Sequence, residues 1–334
     1  MRHILSVEGL KTYFKYERTI AKVVDDVSFY IDKSESFALV GESGCGKTLT
    51  ALSIIQLIPE PGFIAGGKIL LHGRDIISLS EEEKRKIRGN KISMVFQEPM
   101  TSLNPVLTIG EQISEVMRIH QHLSRREAKK AAIEVLSEVG IPNPKERYNI
   151  YPHQLSGGMK QRVMIGIAVC CRPDLLIADE PTTALDVTIQ EQILNLIRRL
   201  RHDTGTSLLL ITHDLAVVYR NADRIGVMYA GKLIESATSD ELFNNPLHPY
   251  TKKLFNCIPS KKKRGLMLQS IEGDIPEPTS LLNGCRFRDR CSYASDICGS
   301  VEPILCEVKN GHSVACHLYR RGEKKIAIFE RIEE

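Results

Sequence analysis

Three short runs in this 334-residue chain carry residues suited to phosphate chemistry. The first is Gly41-Glu42-Ser43-Gly44-Cys45-Gly46-Lys47-Thr48, which satisfies the glycine-rich phosphate-loop pattern at each required position. Its glycines let backbone N–H groups curl around an anion, with Gly41, Ser43, Gly44, Cys45 and Gly46 forming the cradle. Lys47 is placed to reach the outer phosphates of a nucleoside triphosphate, and the Thr48 hydroxyl to offer an oxygen to Mg²⁺. The second run, Leu175-Leu176-Ile177-Ala178-Asp179-Glu180, ends an apolar stretch in two carboxylates. Asp179 suits Mg²⁺, a hard cation that takes oxygen ligands and keeps several waters. Glu180 suits the orientation or deprotonation of an attacking water. The third run is Leu155-Ser156-Gly157-Gly158-Met159-Lys160-Gln161-Arg162. Ser156 can cap a helix, the two glycines admit a close ligand, and free N–H groups with the helix dipole favour an anion. It reads as a second phosphate surface with no phosphate of its own.

Two further side chains belong to the same chemistry by position. Gln97 ends the apolar run at residues 92–96 and precedes a loop, Glu98-Pro99-Met100-Thr101. It is placed to reach Mg²⁺ or water. His213 follows the run at residues 207–211. Ligands of open α/β sheets gather at such strand ends, so His213 is placed to contact a terminal phosphate and hold the attacking water.

The elements that must position these residues alternate. Phe37-Ala38-Leu39-Val40 is a short strand before the glycine loop, and residues 48–57 have helical character. The runs at 175–178 and 207–211 are nearly all apolar, which suits strands of a parallel sheet buried on both faces. Residues 109–140 have helical spacing, with a capping box at Ser124-Arg125-Arg126-Glu127 and Ile133, Leu136 and Val139 on one face. Residues 225–229 and 232–236 flank Ala230-Gly231, a predicted hairpin. Helical pieces follow Asp240 and Pro249. The basic run Lys261-Lys262-Lys263-Arg264 marks a change of composition and reads as a solvated linker.

Bulk properties narrow the class. Apolar residues make up 42% and charged residues 26%, an ordinary globular balance over a length that suits about two domains. The net charge of +4 is too mild to argue for nucleic acid. No apolar run approaches the roughly 20 residues that span a bilayer. Glu8 comes too early for a signal peptide. These features predict a cytosolic chain whose membrane role comes through partners.

The ordered motifs resemble the ATPase domain of ABC transporters. Residues 41–48, Gln97, residues 155–161, Asp179-Glu180, Ala184-Leu185-Asp186 and His213 look like its Walker A, Q-loop, signature, Walker B, D-loop and switch histidine. The resemblance covers roughly residues 4–260. It implies an α/β P-loop NTPase fold of the ABC type: a RecA-like core, an antiparallel β-subdomain, and a helical subdomain inserted at about 100–165. It implies catalytic roles for Glu180, His213 and Gln97, and Mg²⁺ held through Thr48, Gln97 and Asp179. In that family two ATPase domains pair head to tail. Ser156, Gly157, Gly158 and Gln161 would then serve the partner's ATP, with Asp186 in the D-loop. An aromatic after the first strand stacks on adenine in the family; Phe14 is the match by position, with Tyr13 and Tyr16 as rivals.

Nine cysteines are unevenly placed, and five of them (Cys285, Cys291, Cys298, Cys306 and Cys316) crowd the end of the chain. In a reducing compartment such crowding points to a metal rather than disulfides. No tight Cys-x-x-Cys pair is present, which disfavours a zinc ribbon. Four thiolates can instead hold an iron–sulfur cluster, and soft-metal ligation would substitute for a missing core.

Asn245-Pro246-Leu247-His248-Pro249-Tyr250-Thr251, the region from Gly284-Cys285-Arg286-Phe287 to Ala315-Cys316-His317, Gln97-Glu98-Pro99-Met100 and Ser102-Leu103-Asn104-Pro105 resemble the ATPases of oligopeptide and dipeptide importers. That resemblance implies a 4Fe–4S cluster on Cys285, Cys291, Cys298 and Cys316, with zinc or reduced thiols as alternatives. Cys306 departs from the subfamily pattern. Residues 1–260 form the ATPase domain on this reading, and 261–334 a small irregular cysteine-rich extension.

The function implied is an ATP-binding and ATP-hydrolysing subunit that powers peptide import, peripheral on the inner face of the cell membrane. Its partners would be a second ATPase (a copy or a related chain), two membrane permeases and, indirectly, a substrate-binding protein. The alternatives are an importer for another substrate such as nickel, and a soluble ABC ATPase of repair, chromosome structure or translation. Repair and chromosome members carry long coiled coils between phosphate loop and signature, and no heptad array lies between Lys47 and Ser156. Translation members carry two ATPase copies, and this chain has one.

Overall fold

The computed structural model describes residues 3–17, 19–98, 102–183, 185–257, 271–280, 283–309 and 311–319. Pro99, Met100, Thr101, Ala184 and the basic run at 261–264 lie outside the described residues. Two sheets organise the rest. The smaller holds β1 (His3–Tyr16), β2 (Thr19–Asp32), β4 (Gly62–Leu71) and β5 (Arg74–Asp75) in the order β2-β1-β4-β5, all antiparallel. The larger holds β3 (Ser36–Val40), β6 (Ile92–Val95), β7 (Leu175–Asp179), β8 (Ser207–Ile211), β9 (Arg224–Tyr229), β10 (Lys232–Thr238), β11 (Cys306–Lys309) and β12 (His312–Val314). Their order is β11-β12-β10-β9-β3-β8-β7-β6. The pairings from β9 through β3, β8 and β7 to β6 are parallel, and those of β10, β12 and β11 are antiparallel.

The apolar runs that predict doubly covered strands are used that way. In β3, Phe37 and Leu39 face one hydrophobic cluster while Ala38 and Val40 face another. Ile177 and Ala178 of β7 split the same way, as do Leu209 and Leu210 of β8. The smaller sheet and α1 (Lys47–Ile54) cover the first face. The second face is covered by α3 (Ile109–Gln121), α4 (Arg125–Glu138), α6 (Gly157–Val169) and α7 (Val187–Thr204). Along the chain, the short α2 (Glu81–Ile87) comes before β6, and α5 (Pro144–Arg147) lies between α4 and α6.

The helical stretch predicted at 109–140 is two helices. His122 takes a left-handed backbone and ends α3. Ser124 then caps α4, its hydroxyl accepting from the Glu127 N–H while the Glu127 carboxylate accepts from the Ser124 N–H. The hairpin at Ala230-Gly231 joins β9 to β10. The cysteine-rich segment does not stand apart from the core: β12 pairs with β10, with Val314 opposite Glu235, and so extends the ATPase sheet. Among the described residues no helix is long and apolar enough to cross a membrane.

Candidate functional site

The phosphate loop runs from the end of β3 into α1. Gly41 and Gly46 have φ of 151° and 104°, in the half of backbone space that side chains avoid. A Cβ on Gly41 would lie 2.3 Å from the Met228 carbonyl oxygen, and one on Gly46 2.6 Å from that of Val23. The neighbouring backbone therefore demands glycine at both places. Lys47 is buried, and its Nζ donates to the carbonyl oxygens of Gly41 (2.8 Å) and Glu42 (3.0 Å). The ammonium thus rests on the loop it would leave for a phosphate.

The carboxylates of the β7 end converge on the loop. Thr48 Oγ1 donates to Asp179 Oδ1 at 3.2 Å. Asp179 is buried, and that burial pushes its carboxyl up to about 6, aided by the nearby Glu180 charge and opposed by the Thr48 hydrogen bond. One hydroxyl, one carboxylate and the phosphates of a nucleotide suit Mg²⁺, which is usually held by one or two carboxylates plus substrate oxygens. Glu180 adopts a positive φ of 45°, uncommon for a residue with a side chain. Its carboxylate accepts from Gln97 Nε2 (3.0 Å) and Thr183 Oγ1 (2.9 Å), and lies 2.9 Å from His213 Nδ1. Burial alone would raise the Glu180 carboxyl. The hydrogen bonds from His213 and Thr183, with the His213 and Lys47 charges, outweigh burial and hold it below its usual range. Gln97, Glu180 and His213 are therefore one cluster. Gln97 reaches Glu180 in this structure.

The second phosphate surface opens α6. Ser156 is exposed and accepts from the Met159 N–H, capping the helix as its sequence predicts. Gly157 is exposed and Gly158 half-buried. A Cβ on Gly158 would meet Ile189 of α7 at 2.9 Å, so the missing side chain lets α6 and α7 start side by side. Asp186 caps α7 by accepting from the Ile189 N–H. Gln161 does not join this exposed surface. It is buried, and its amide donates to the Pro181 carbonyl at 2.7 Å, bracing the turn after Glu180.

Of the three aromatics on β1, Phe14 is half-buried over Gly62, and Tyr16 is exposed. Tyr13 donates its hydroxyl to Asp25 at 2.6 Å and sets its ring edge-on to Phe63.

In the tail, Cys285, Cys291 and Cys316 are half-buried thiols whose ionised forms are disfavoured by burial and then by neighbouring thiols. Burial pushes Cys316 up to about 12, and the neighbouring Cys285, Cys291 and Cys298 add to that rise. Cys285 is pushed up to about 11 by burial and then by Cys298 and Cys291. The backbone N–H of Cys285 donates to the Cys298 carbonyl at 2.8 Å. The four thiols named from the sequence thus share one neighbourhood. Cys306 lies on β11 and donates to the Val314 carbonyl. Among the described residues no group of three or more His, Cys, Asp or Glu closes to metal-ligand spacing.

Several residues that shape the site are given no role there by the sequence. The Tyr250 hydroxyl accepts from the Glu42 N–H at 2.9 Å, so Tyr250 pins the phosphate loop. Glu235 is fully buried and accepts from the N–H groups of Leu247 and His248, with His312 at 2.8 Å. It ties β10, the segment before Tyr250 and β12 together. The His-Pro-Tyr run is visible in the sequence, but nothing in it names Glu42 or Glu235 as partners.

Comparison with known proteins fits this geometry. The ABC transporter family profile matches residues 24–183. The profile of the oligopeptide/dipeptide transporter C-terminal region matches residues 234–298. The chain is 52% identical over 320 residues to the oligopeptide transport ATP-binding protein AppD of Bacillus subtilis (strain 168), covering 96% of this chain and 98% of that one. It is 47% identical over 319 residues to the dipeptide transport ATP-binding protein DppD of the same organism, covering 95% of each. Among solved structures it resembles a dimeric ATP-binding cassette in a post-hydrolysis state with ADP and Pi, at TM-score 0.64 and 28% identity over 70% of this chain and 98% of that one. A cassette of a Clostridium perfringens ABC transporter complex matches at TM-score 0.62 and 26% identity, over 73% and 92%. The chain belongs to the ABC transporter family, as an ATP-binding, ATP-hydrolysing subunit of the oligopeptide/dipeptide type.

Proposed function

We propose that this subunit pairs head to tail with a second ATPase, a copy or a related chain, and powers import of di- and oligopeptides through two permeases. It would sit on the inner face of the membrane, with a binding protein delivering the peptide. Lys47 exchanges its Gly41 and Glu42 carbonyls for the outer phosphates of ATP. Glu180 accepts the proton of the attacking water, and His213 and Gln97 hold the carboxylate in line. Phe14 takes the adenine face. Thr48, Gln97 and Asp179 would hold Mg²⁺, which neutralises phosphate charge when bound. Ser156, Gly157 and Gly158 offer their helix N-terminus to the partner's ATP, and Asp186 stands beside them. Residues 1–260 supply the ATPase and 261–334 the extension.

The observation that carries the peptide reading is the match of 95–96% of the chain to oligopeptide and dipeptide subunits, with residues 234–298 matching their C-terminal region. Its test is uptake of labelled peptides by vesicles holding the reconstituted transporter. Peptide uptake with Mg·ATP is expected, and Ser156→Arg should end it. ATP-driven uptake of nickel, with none of peptide, would overturn the substrate.

The thiol type of Cys285, Cys291, Cys298 and Cys316 suits a 4Fe–4S cluster, although among the described residues they do not close to metal-ligand spacing in this structure. Burial and then the neighbouring thiols disfavour the ionised forms of Cys285 and Cys316, and a bound cation would relieve both. Such a cluster would supply structural support to the loops that join Cys285 to Cys316. Anaerobic purification should give brown protein with about four irons per chain. Stoichiometric zinc in colourless protein would replace the cluster with the alternative.

A further inference from the structure

We propose that Arg290 of the cysteine-rich extension is a positioning residue of the phosphate loop, acting through Glu42. The proposal rests on ATP binding by this chain and is independent of the substrate moved.

A guanidinium has five N–H donors in a rigid fork. All five of Arg290 are engaged. Nε donates to the Glu272 carbonyl (2.9 Å), and Nη2 to the Ile271 carbonyl (3.1 Å). Nη1 donates to the Tyr229 hydroxyl (3.3 Å). Nη1 and Nη2 together take the two carboxylate oxygens of Glu42, at 3.3 and 3.1 Å. The Arg290 side chain is only 5% exposed while Glu42 is 28% exposed, so this bidentate pair is shielded on the arginine side and less screened than a fully exposed ion pair. Phe287, Tyr229 and Tyr250 are fully buried beside it, their ring centroids 4.8–5.4 Å apart. Arg290 and Phe287 of the extension thereby close a box whose remaining wall is the phosphate loop.

Glu42 is held at three points. Its N–H goes to the Tyr250 hydroxyl, its carbonyl receives Lys47, and its carboxylate takes Arg290. Binding of ATP removes the second hold, because Lys47 moves to the phosphates. Tyr250 and Arg290 then keep the first half of the cradle in place. Arg290 also neutralises a carboxylate within the loop that must accept a triphosphate. Both effects act on ATP affinity, and no described contact of Arg290 involves Gln97, Glu180 or His213.

A second arginine does the same from the other side. Arg286 donates to the Ala230 carbonyl and to Asp25. Gly231, next to Ala230, donates its N–H to the Cys45 carbonyl within the loop at 3.0 Å. The extension therefore grips the loop's backing hairpin as well as Glu42.

The test uses the full chain, with Mg·ATP as the probe. Arg290→Ala should raise the dissociation constant for Mg·ATP about tenfold and leave kcat within about twofold, the pattern of lost uniform binding. Arg290→Lys keeps the charge but not the fork and should recover part of the affinity. In a Glu42→Gln background, Arg290→Ala should cost less than about threefold, because residues that act as a pair are not additive. If Arg290→Ala does not fold, Arg290→Lys in both backgrounds carries the same comparison. A lowered melting temperature with unchanged ATP affinity, or an equal loss of affinity in both backgrounds, would overturn the proposal.

Discussion

The nucleotide site and the cysteine-rich extension share one sheet but are assembled in different ways. Each motif of the nucleotide site follows a strand of the larger sheet: residues 41–48 follow β3, Gln97 follows β6, Glu180 follows β7 and His213 follows β8. Those strands are contiguous in the order β3-β8-β7-β6, and all run parallel. Their ends therefore deliver lysine, carboxylates, amide and imidazole to one edge through strand order, even where partners are as far apart in sequence as Thr48 and Asp179. The extension instead works through individual polar pairs that no strand order foretells. Arg290 meets Glu42 across 248 residues, and His312 meets Glu235 across 77. On the proposed roles, the first region reacts and the second holds the first in shape.

If that division is right, substitutions in the two regions should separate chemistry from binding. The largest effect belongs to Glu180→Gln. Glutamine keeps the volume but cannot take a proton, so kcat should fall about 10²–10⁴-fold, the range for a lost general base. Mg·ATP binding and the melting temperature should stay near those of the unaltered chain. Phosphate release measured beside nucleotide binding checks this. Turnover within tenfold of normal would remove Glu180 from the base role and blur the contrast with Arg290→Ala, which is expected to change affinity and spare kcat.

The same contrast explains what could be read in advance. The phosphate loop, both carboxylates, Gln97, His213 and the Ser156 cap are legible because each is a local motif at the end of a predicted element. The sheet follows from apolar runs that only a doubly covered strand tolerates. Gln161 lies within the signature run yet turns inward to Pro181, since one helical step separates an exposed face from a buried one. The extension's cysteines were visible by type. Its docking was not, because neither arginine spacing nor the His-Pro-Tyr run names a partner so far away. Nor does the pattern of Lys232–Thr238 foretell that Glu235, a carboxylate, sits fully buried under a histidine. Long-range polar pairing is set by the finished fold.

A separate effect, on stability and not on turnover, concerns acid, and it runs along the seam between the two regions. His248 is buried, and burial pushes its imidazole down to about 4, against the opposing pull of Glu235. Around it stand Glu235, whose carboxylate accepts the His248 N–H, and the Phe287 ring at 5.7 Å; His312 lies on the far side of Glu235. Nδ1 of His248 accepts from the Tyr250 N–H at 3.0 Å, so the neutral ring caps the helix Pro249–Asn256 that carries Tyr250. Protonation at Nδ1 would break that cap and loosen the tyrosine that pins Glu42. The folded pKa lies below the unfolded value near 6.5. The unfolded chain therefore binds the proton first, and stability from this group is whole above pH 6.5 and is lost as pH falls toward 4. The loss is on the order of 3 kcal/mol over that window. Asparagine offers a carbonyl acceptor at the same cap position and does not titrate. His248→Asn should therefore keep the fold at pH 7 and flatten the pH dependence of unfolding between 6.5 and 4 by about one proton. An unchanged slope would place the acid sensitivity of the seam elsewhere, and with it the link from His248 through Tyr250 to the phosphate loop.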